Sequence, residues 1–435
     1  MKFHLRYYFF LLIFFLVFYT SYLYNTPLSG DSYDQLNILL LTVQGNFPIS
    51  DFFSHNLPNY LLPYIILFFV KTKVSLLSIK IFNILLLFFT SIYILHILNK
   101  NNKTVIKNFL IVVLLFSSPL FLFEGTPLTL IGHSYISCLY CLISIFSFYN
   151  FEQNKNYSSL YLSFFFLGLN LFARNFFIFP TICLILFYLF KYLKTNKFFK
   201  KETVFIFTSF IFSFTFSLLI FFNNPTNFIN YFFDIFNYFP TLNLYDLHIC
   251  KSIFTGNDFT VSFFKGFKYS NSLLLLLLIC FCIYNFKQKI NIIVKSSYIF
   301  LVNYIIFLIL FVGDCYTNSY LGIVPPFVIL TGFHYIFDLK IERYFKTFLF
   351  YIIILHFISF VAITSGRVGR VVLEYVNKAD NYYINENLIS SSWKKENYKL
   401  KYNDFRSLPH DDSRVIDEIV KVINYHKEQN KIKEN

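Results

Sequence analysis

Charge is what this sequence has least of: Asp, Glu, Lys and Arg make up 14% of its 435 residues, against roughly 25% in soluble domains. Hydrophobic residues reach 56% and mean hydropathy is +0.56, which excludes two or three ordinary soluble domains and makes lipid the expected solvent. A single Trp stands against 64 Phe and 34 Tyr, a bias that reads as AT-rich coding rather than a chosen aromatic function. Gly/Ser linkers and internal repeats are absent. Seven cysteines contain one CxxC, Cys138 to Cys141, inside an apolar run and with no second pair. They read as small core residues rather than as a metal site. No small-residue cleavage site follows the first apolar run, so it is expected to be a retained helix rather than a signal peptide.

What is present is a series of apolar runs, most of them long enough for a hydrocarbon core of about 30 Å. They fall at residues 7–24, 75–98, 108–123, 128–149, 158–172, 176–193, 203–222, 271–286, 296–312, 318–337 and 344–363. This predicts an all-α polytopic membrane protein with about eleven transmembrane helices and outer interfacial helices.

The formal charge of +14 does not point to nucleic acid, because the basic residues occupy short connectors between apolar runs, where they set orientation. Alternate connectors hold Lys2 and Arg6; Lys100, Lys103 and Lys107; Lys155; Lys194, Lys197, Lys200 and Lys201; Lys287, Lys289 and Lys295; and Lys340, Arg343 and Lys346. By the positive-inside rule these are cytoplasmic in an inner (plasma) membrane protein. Residues 25–60, 124–127, Arg174, 223–270, 313–317 and the tail 366–435 are then outside. The alternation requires that the apolar run 57–70, about 14 residues broken by Pro58 and Pro63, does not cross. It is expected to be interfacial or re-entrant, leaving Lys71, Lys73 and Lys80 as snorkelling exceptions on the outer side.

Two units follow: a transmembrane domain, 1–365, and a small, densely charged extracytoplasmic tail, 366–435, in which an ancestral open reading frame could have been shortened. In the tail, Pro409 to Ser413 signal a helix start and Val415, Ile416, Ile419, Val420 and Ile423 recur at helical spacing.

The first outer loop, 25–60, carries Asp31, Asp34 and Asp51 and no Lys or Arg. Acids next to a membrane are costly and usually functional. Ser29 and Gly30 precede an expected interfacial helix over 31–43 that ends at Gly45. Asp31 and Asp34 share its first turn, where either is also an ordinary cap or dipole partner. Asp51, His55 and Pro58 follow in a polar, Pro-broken stretch that also suits a plain loop.

In this order of features the chain resembles the integral-membrane glycosyltransferases of GT-C type, such as the protein O-mannosyltransferases and the lipid A aminoarabinose transferase of glycosyltransferase family 39. Those open with a cytoplasmic N-terminus, one span and an outer loop beginning with a catalytic acid. Asp31, Gly45, Pro48, Asp51 and residues 55–60 fall in that pattern. Residues 168–180 are similar to the family's outer connector with a basic residue before a Pro-containing helix, Arg174 taking that position; residues 316–326 resemble its late Tyr/Pro-rich segment. The chain departs from the pattern at Ser32, where many members have a second acid, and at Asn56, where many have a basic residue. The acid expected on the next outer connector is also displaced, Glu124 or His133 being nearest.

The resemblance implies a polyprenyl-phosphate-linked sugar donor and a glycan, lipid or protein acceptor. Asp31 would be the general base, and Arg174 the partner of the lipid phosphate unless it merely snorkels. Asp34, Asp51, His55 and Glu124 would help bind substrate, although ordinary solvation also accounts for Glu124. No obligatory cofactor is implied; a divalent metal is chemically compatible with these side chains, but their spacing is not a metal signature. Two rivals handle related substrates. An O-antigen polymerase or ligase would place its chemistry in the later loop, 223–270, which holds Asp234, Asp246, His248 and Asp258 but few Arg. A lipid-linked sugar transporter or flippase would carry inverted repeats and broken helices.

Overall fold

The computed structural model describes residues 2–19, 58–64, 76–101, 105–117, 133–174, 177–195, 201–221, 291–311, 326–327, 329–331 and 347. Among the described residues the chain is almost wholly helical, with no strand. Eight α-helices follow in order: α1 Lys2–Tyr19, α2 Leu76–Asn101, α3 Val105–Phe116, α4 His133–Asn154, α5 Tyr157–Leu171, α6 Ile178–Thr195, α7 Lys201–Phe221 and α8 Ile292–Phe311. A short 3-10 turn, Pro58–Leu61, precedes α2. Each helix overlaps one of the expected apolar segments, displaced by a few residues. The expected segments at 271–286, 318–337 and 344–363, the loop 223–270 and the tail 366–435 lie wholly or largely outside the described residues. One helical stretch among the described residues, Ile81–Asn101 in α2, is long and apolar enough to cross a membrane.

Local chemistry explains several boundaries. α4 runs past the apolar run to Asn154 because its polar last turn is satisfied by neighbours: Asn150 donates to Ser159 Oγ at 2.6 Å, Asn154 donates to Asn101 Oδ1 at 2.6 Å, and Glu152 pairs with Lys191. It stops at Lys155, whose φ of 52° is left-handed. Asn156 then caps α5, its side chain accepting from the Ser158 amide at 3.2 Å. Asn291 caps α8 in the same way, accepting from Ile293 N at 3.1 Å. Pro180 sits in the first turn of α6, where its missing N–H removes no helical bond.

Cross-helix contacts fix the directions. α2 and α4 run parallel, since Tyr135 OH donates to Asn83 O at 2.8 Å, Tyr93 bonds Ser147 at 2.6 Å and Asn154 bonds Asn101. α4 and α5 are antiparallel, through Ser144 with Ser163 and Asn150 with Ser159. α6 parallels α4, with Phe148 stacked on Tyr188 at 3.8 Å and Phe151 beside Tyr192. α7 parallels α5: Tyr161 meets Ser209 and Phe165 meets Phe212. α1 parallels α3, with Phe10 beside Phe109 and Tyr19 OH bonded to Phe116 O, and is antiparallel to α2, with Tyr8 beside Asn99 and Phe15 beside Phe88. α8 is antiparallel to α6, as Phe177, just before α6, touches Tyr304 while Tyr188 lies beside Ser296. From α1 to α7 each helix therefore reverses the one before it. Tyr19 and the start of α2 lie at one end of the bundle; the Lys155 turn lies at the other.

Large apolar side chains face outward as well as inward. Ser91, Ser137, Ser144, Ser147, Ser163 and Thr181 are buried, whereas Leu5 is 73% and Phe190 69% exposed and α2, α3 and α7 also turn large apolar side chains outward. Small polar residues between helices and large apolar ones outside suit helices packing in lipid. Such interhelical hydrogen bonds contribute only about 0.6 kcal/mol each, so close packing carries most of the association. Gly168 marks the closest approach: a Cβ there would come 1.8 Å from Ser213 Oγ and 2.9 Å from its Cβ on α7.

Candidate functional site

Of the residues singled out in the sequence, Arg174 is among those described; Asp31, Asp34, Asp51, His55 and Glu124 lie outside the described residues. His133 opens α4. Arg174 follows the end of α5 and is only 3% exposed. A snorkelling arginine keeps its head group in water, and this one does not. Its carbonyl accepts from Phe177 N at 3.1 Å, which turns the chain into α6 three residues later.

The described end of segment 25–60, from residue 58 on, meets this connector. Asn59 is fully buried; its backbone N donates to Phe172 O at 2.8 Å, and its Nδ2 donates to Leu169 O at 2.8 Å. Tyr140 OH on α4 donates to Asn59 O at 3.1 Å. A helix leaves its last carbonyls without internal partners, and a glycine in the left-handed conformation is the common remedy. α5 ends instead on Phe172 with φ −112°, and a residue 110 positions earlier supplies the cap. Nearby on the α5–α6 side, Asn170 donates to Thr181 Oγ1 at 3.0 Å.

The turn continues into the bundle. Tyr60, Leu61 and Tyr64 are fully buried. Tyr64 OH donates to Asn83 Oδ1 at 2.6 Å, and Tyr135 OH takes the backbone carbonyl of the same residue. Burial pushes the Tyr60 phenol up from its usual value, so it stays protonated at neutral pH. Asn83 lies seven positions into α2, about 10 Å from the helix start. The segment therefore inserts among α2, α4 and α5 at the end where α1 finishes and α2 begins.

Asn59, Tyr64, Asn83 and Tyr140 were not singled out by sequence reasoning. The available signal was Asn59 beside Pro58 in a segment already marked by its prolines, but nothing local names a partner 110 residues away.

Cys138 and Cys141 are both buried and unoxidised on one face of α4, as their apolar setting suggested. Compared with protein-family models, characterised proteins and solved structures, the chain matches none.

Proposed function

We propose that the chain is a polytopic membrane glycosyltransferase of GT-C type, moving a sugar from a polyprenyl-phosphate donor to an acceptor hydroxyl at the outer membrane face. The observation that carries this reading is the junction of Asn59 with the α5 end: the exit of the acid-bearing loop is bonded to the connector that holds a buried Arg174. The large apolar side chains on the outside of the bundle support a lipid surround, and the reading takes about eleven spans in all. Lys100, Lys107, Lys155, Lys194 and Lys295 gather at the Lys155 end, in keeping with a cytoplasmic assignment for that end. The Arg174 end would then be extracytoplasmic, together with the tail.

In the proposed reaction the acceptor oxygen attacks the anomeric carbon and its proton passes to the Asp31 carboxylate. The new C–O bond forms as the sugar–phosphate C–O bond breaks, inverting the carbon. The bonding pair leaves on the lipid phosphate, and Arg174 meets the added negative charge. Asp34, Asp51, His55 and Glu124 are assigned to substrate binding.

The test is Asp31→Asn in a cell whose surface glycan or glycolipid changes when the gene is deleted. Loss of the glycan is expected; full activity of the well-expressed variant would remove Asp31 as base. Labelling Ser54→Cys from outside intact cells tests orientation, and protection there would invert it.

A further inference from the structure

We propose that Asn59 is a positioning residue for Arg174, acting as the C-terminal cap of α5 from a separate segment of the chain. Three observations carry this. Asn59 takes the carbonyl of Leu169, in the last turn of α5, and that of Phe172, its C-cap residue, each at 2.8 Å. Tyr140 holds Asn59 from the opposite side at 3.1 Å, so the amide is clamped between α4 and α5. The residues it fixes, Phe172 and Ala173, lead directly to Arg174, and Ala173 is fully buried.

The chemistry explains why the cap is an asparagine supplied in trans. A basic side chain just beyond a helix end ordinarily folds back onto the last carbonyls. Asn59 Nδ2 occupies Leu169 O and its backbone N–H occupies Phe172 O, both with neutral donors, which leaves fewer acceptors there for a basic side chain. Aspartate at the same position has no amide donor for Leu169 O.

The choice of Arg174 as phosphate partner rests on the glycosyltransferase reading; the capping geometry does not, and two readouts separate them. Purified protein in lipid nanodiscs carries Ala173→Cys, and alkylation of that peptide by a water-soluble maleimide is followed by mass spectrometry. Adding Asn59→Ala or the milder Asn59→Ser removes the Nδ2 bond to Leu169 O and keeps the backbone N–H bond to Phe172 O, and is expected to speed labelling about 5-fold. Tyr140→Phe, which frees the same residue on its α4 side, is expected to speed it by about two-fold. Labelling no faster in either Asn59 variant than in its parent overturns the inference. The second readout is polyprenyl phosphate binding with native Ala173. Asn59→Asp is expected to weaken it at least ~10-fold. Faster labelling with unaltered polyprenyl phosphate binding keeps Asn59 as the positioning residue and removes the phosphate role of Arg174.

Discussion

The two ends of the bundle close by different means. At the Lys155 end the chain turns on nearby signals, with Lys155 in a left-handed conformation, Asn156 capping the next helix and Asn108 donating to Asn99 at 2.9 Å across the short α2–α3 connection, and the last turn of α4 is braced in addition by Asn101 and Lys191. At the Tyr19 end the helix ends are closed by distant parts of the chain. Asn59 caps α5, Tyr64 binds Asn83 and Tyr19 binds the last carbonyl of α3. Local closure makes a turn that needs only its own residues. Distant closure makes a surface whose geometry depends on several segments docking together, and the buried cation is at that end.

Charge substitutions test this contrast most severely. Arg174→Gln is expected to lower glycan output by about 100-fold, the usual scale for losing a group that stabilises developing negative charge. Lys191→Gln at the opposite end breaks a partly exposed pair with Glu152 and is expected to cost at most about 1 kcal/mol of stability, with output unchanged. Quantifying surface glycan in cells that express each variant at equal level checks both. Equal losses would erase the distinction between the ends.

Packing gives the next largest effect, at Gly168 in the last turn of α5, at the Arg174 end. Gly168→Ala should be destabilising by about 1–2 kcal/mol, although alanine is the better helix former by about 1 kcal/mol, because the added carbon overlaps Ser213. Ser213→Gly in the same chain is expected to restore most of the loss. Thermal unfolding in detergent of the two single variants and the double variant reads the coupling. Additive losses would mean that α5 and α7 are not held at this distance.

A smaller effect is expected at the Lys155 end. Asn150 donates to Ser159 Oγ at 2.6 Å and accepts from Asn154 at 2.7 Å. Asn150→Ala removes both bonds and is expected to lower stability by about 1 kcal/mol, with glycan output unaffected. A loss of output without a loss of stability would place function at this end as well.

The same contrast explains what could be read from the sequence. Helix existence was legible because apolar runs bounded by Lys and Asn are one-dimensional signals, and eight of the expected segments have an observed helix. Their ends were less legible. The helix expected over 128–149 extends to Asn154 because Asn101, Ser159 and Lys191, all from other helices, satisfy its polar last turn. The reading of 57–70 as interfacial or re-entrant rested on length, proline and charge parity; the end of α1 and the start of α2 lie on one side of the bundle, and residues 20–57 and 65–75 between them lie outside the described residues. Arg174 stood out as an isolated cation, but its burial did not, because burial depends on what covers it. Asn59 was passed over because an asparagine beside proline looks like any turn.

Lys155 supplies the smallest and most local test. Its φ of 52° is unfavourable for a side chain and free for glycine, while its ammonium lies 5.4 Å from the Phe151 ring centroid, a partly exposed cation–π contact contributing about 0.5–1 kcal/mol. Relief of backbone strain at such a position is about 1 kcal/mol, so the two contributions nearly offset each other. Lys155→Gly is therefore expected to change unfolding by less than about 1 kcal/mol, and Lys155→Ala, which keeps the strain and drops the contact, to be the less stable of the two. Thermal unfolding of both variants decides it. The order glycine above alanine follows if the turn is closed by its own backbone conformation; the reverse order would show that the bonds from Asn101 and Lys191, rather than the conformation of Lys155, set this end.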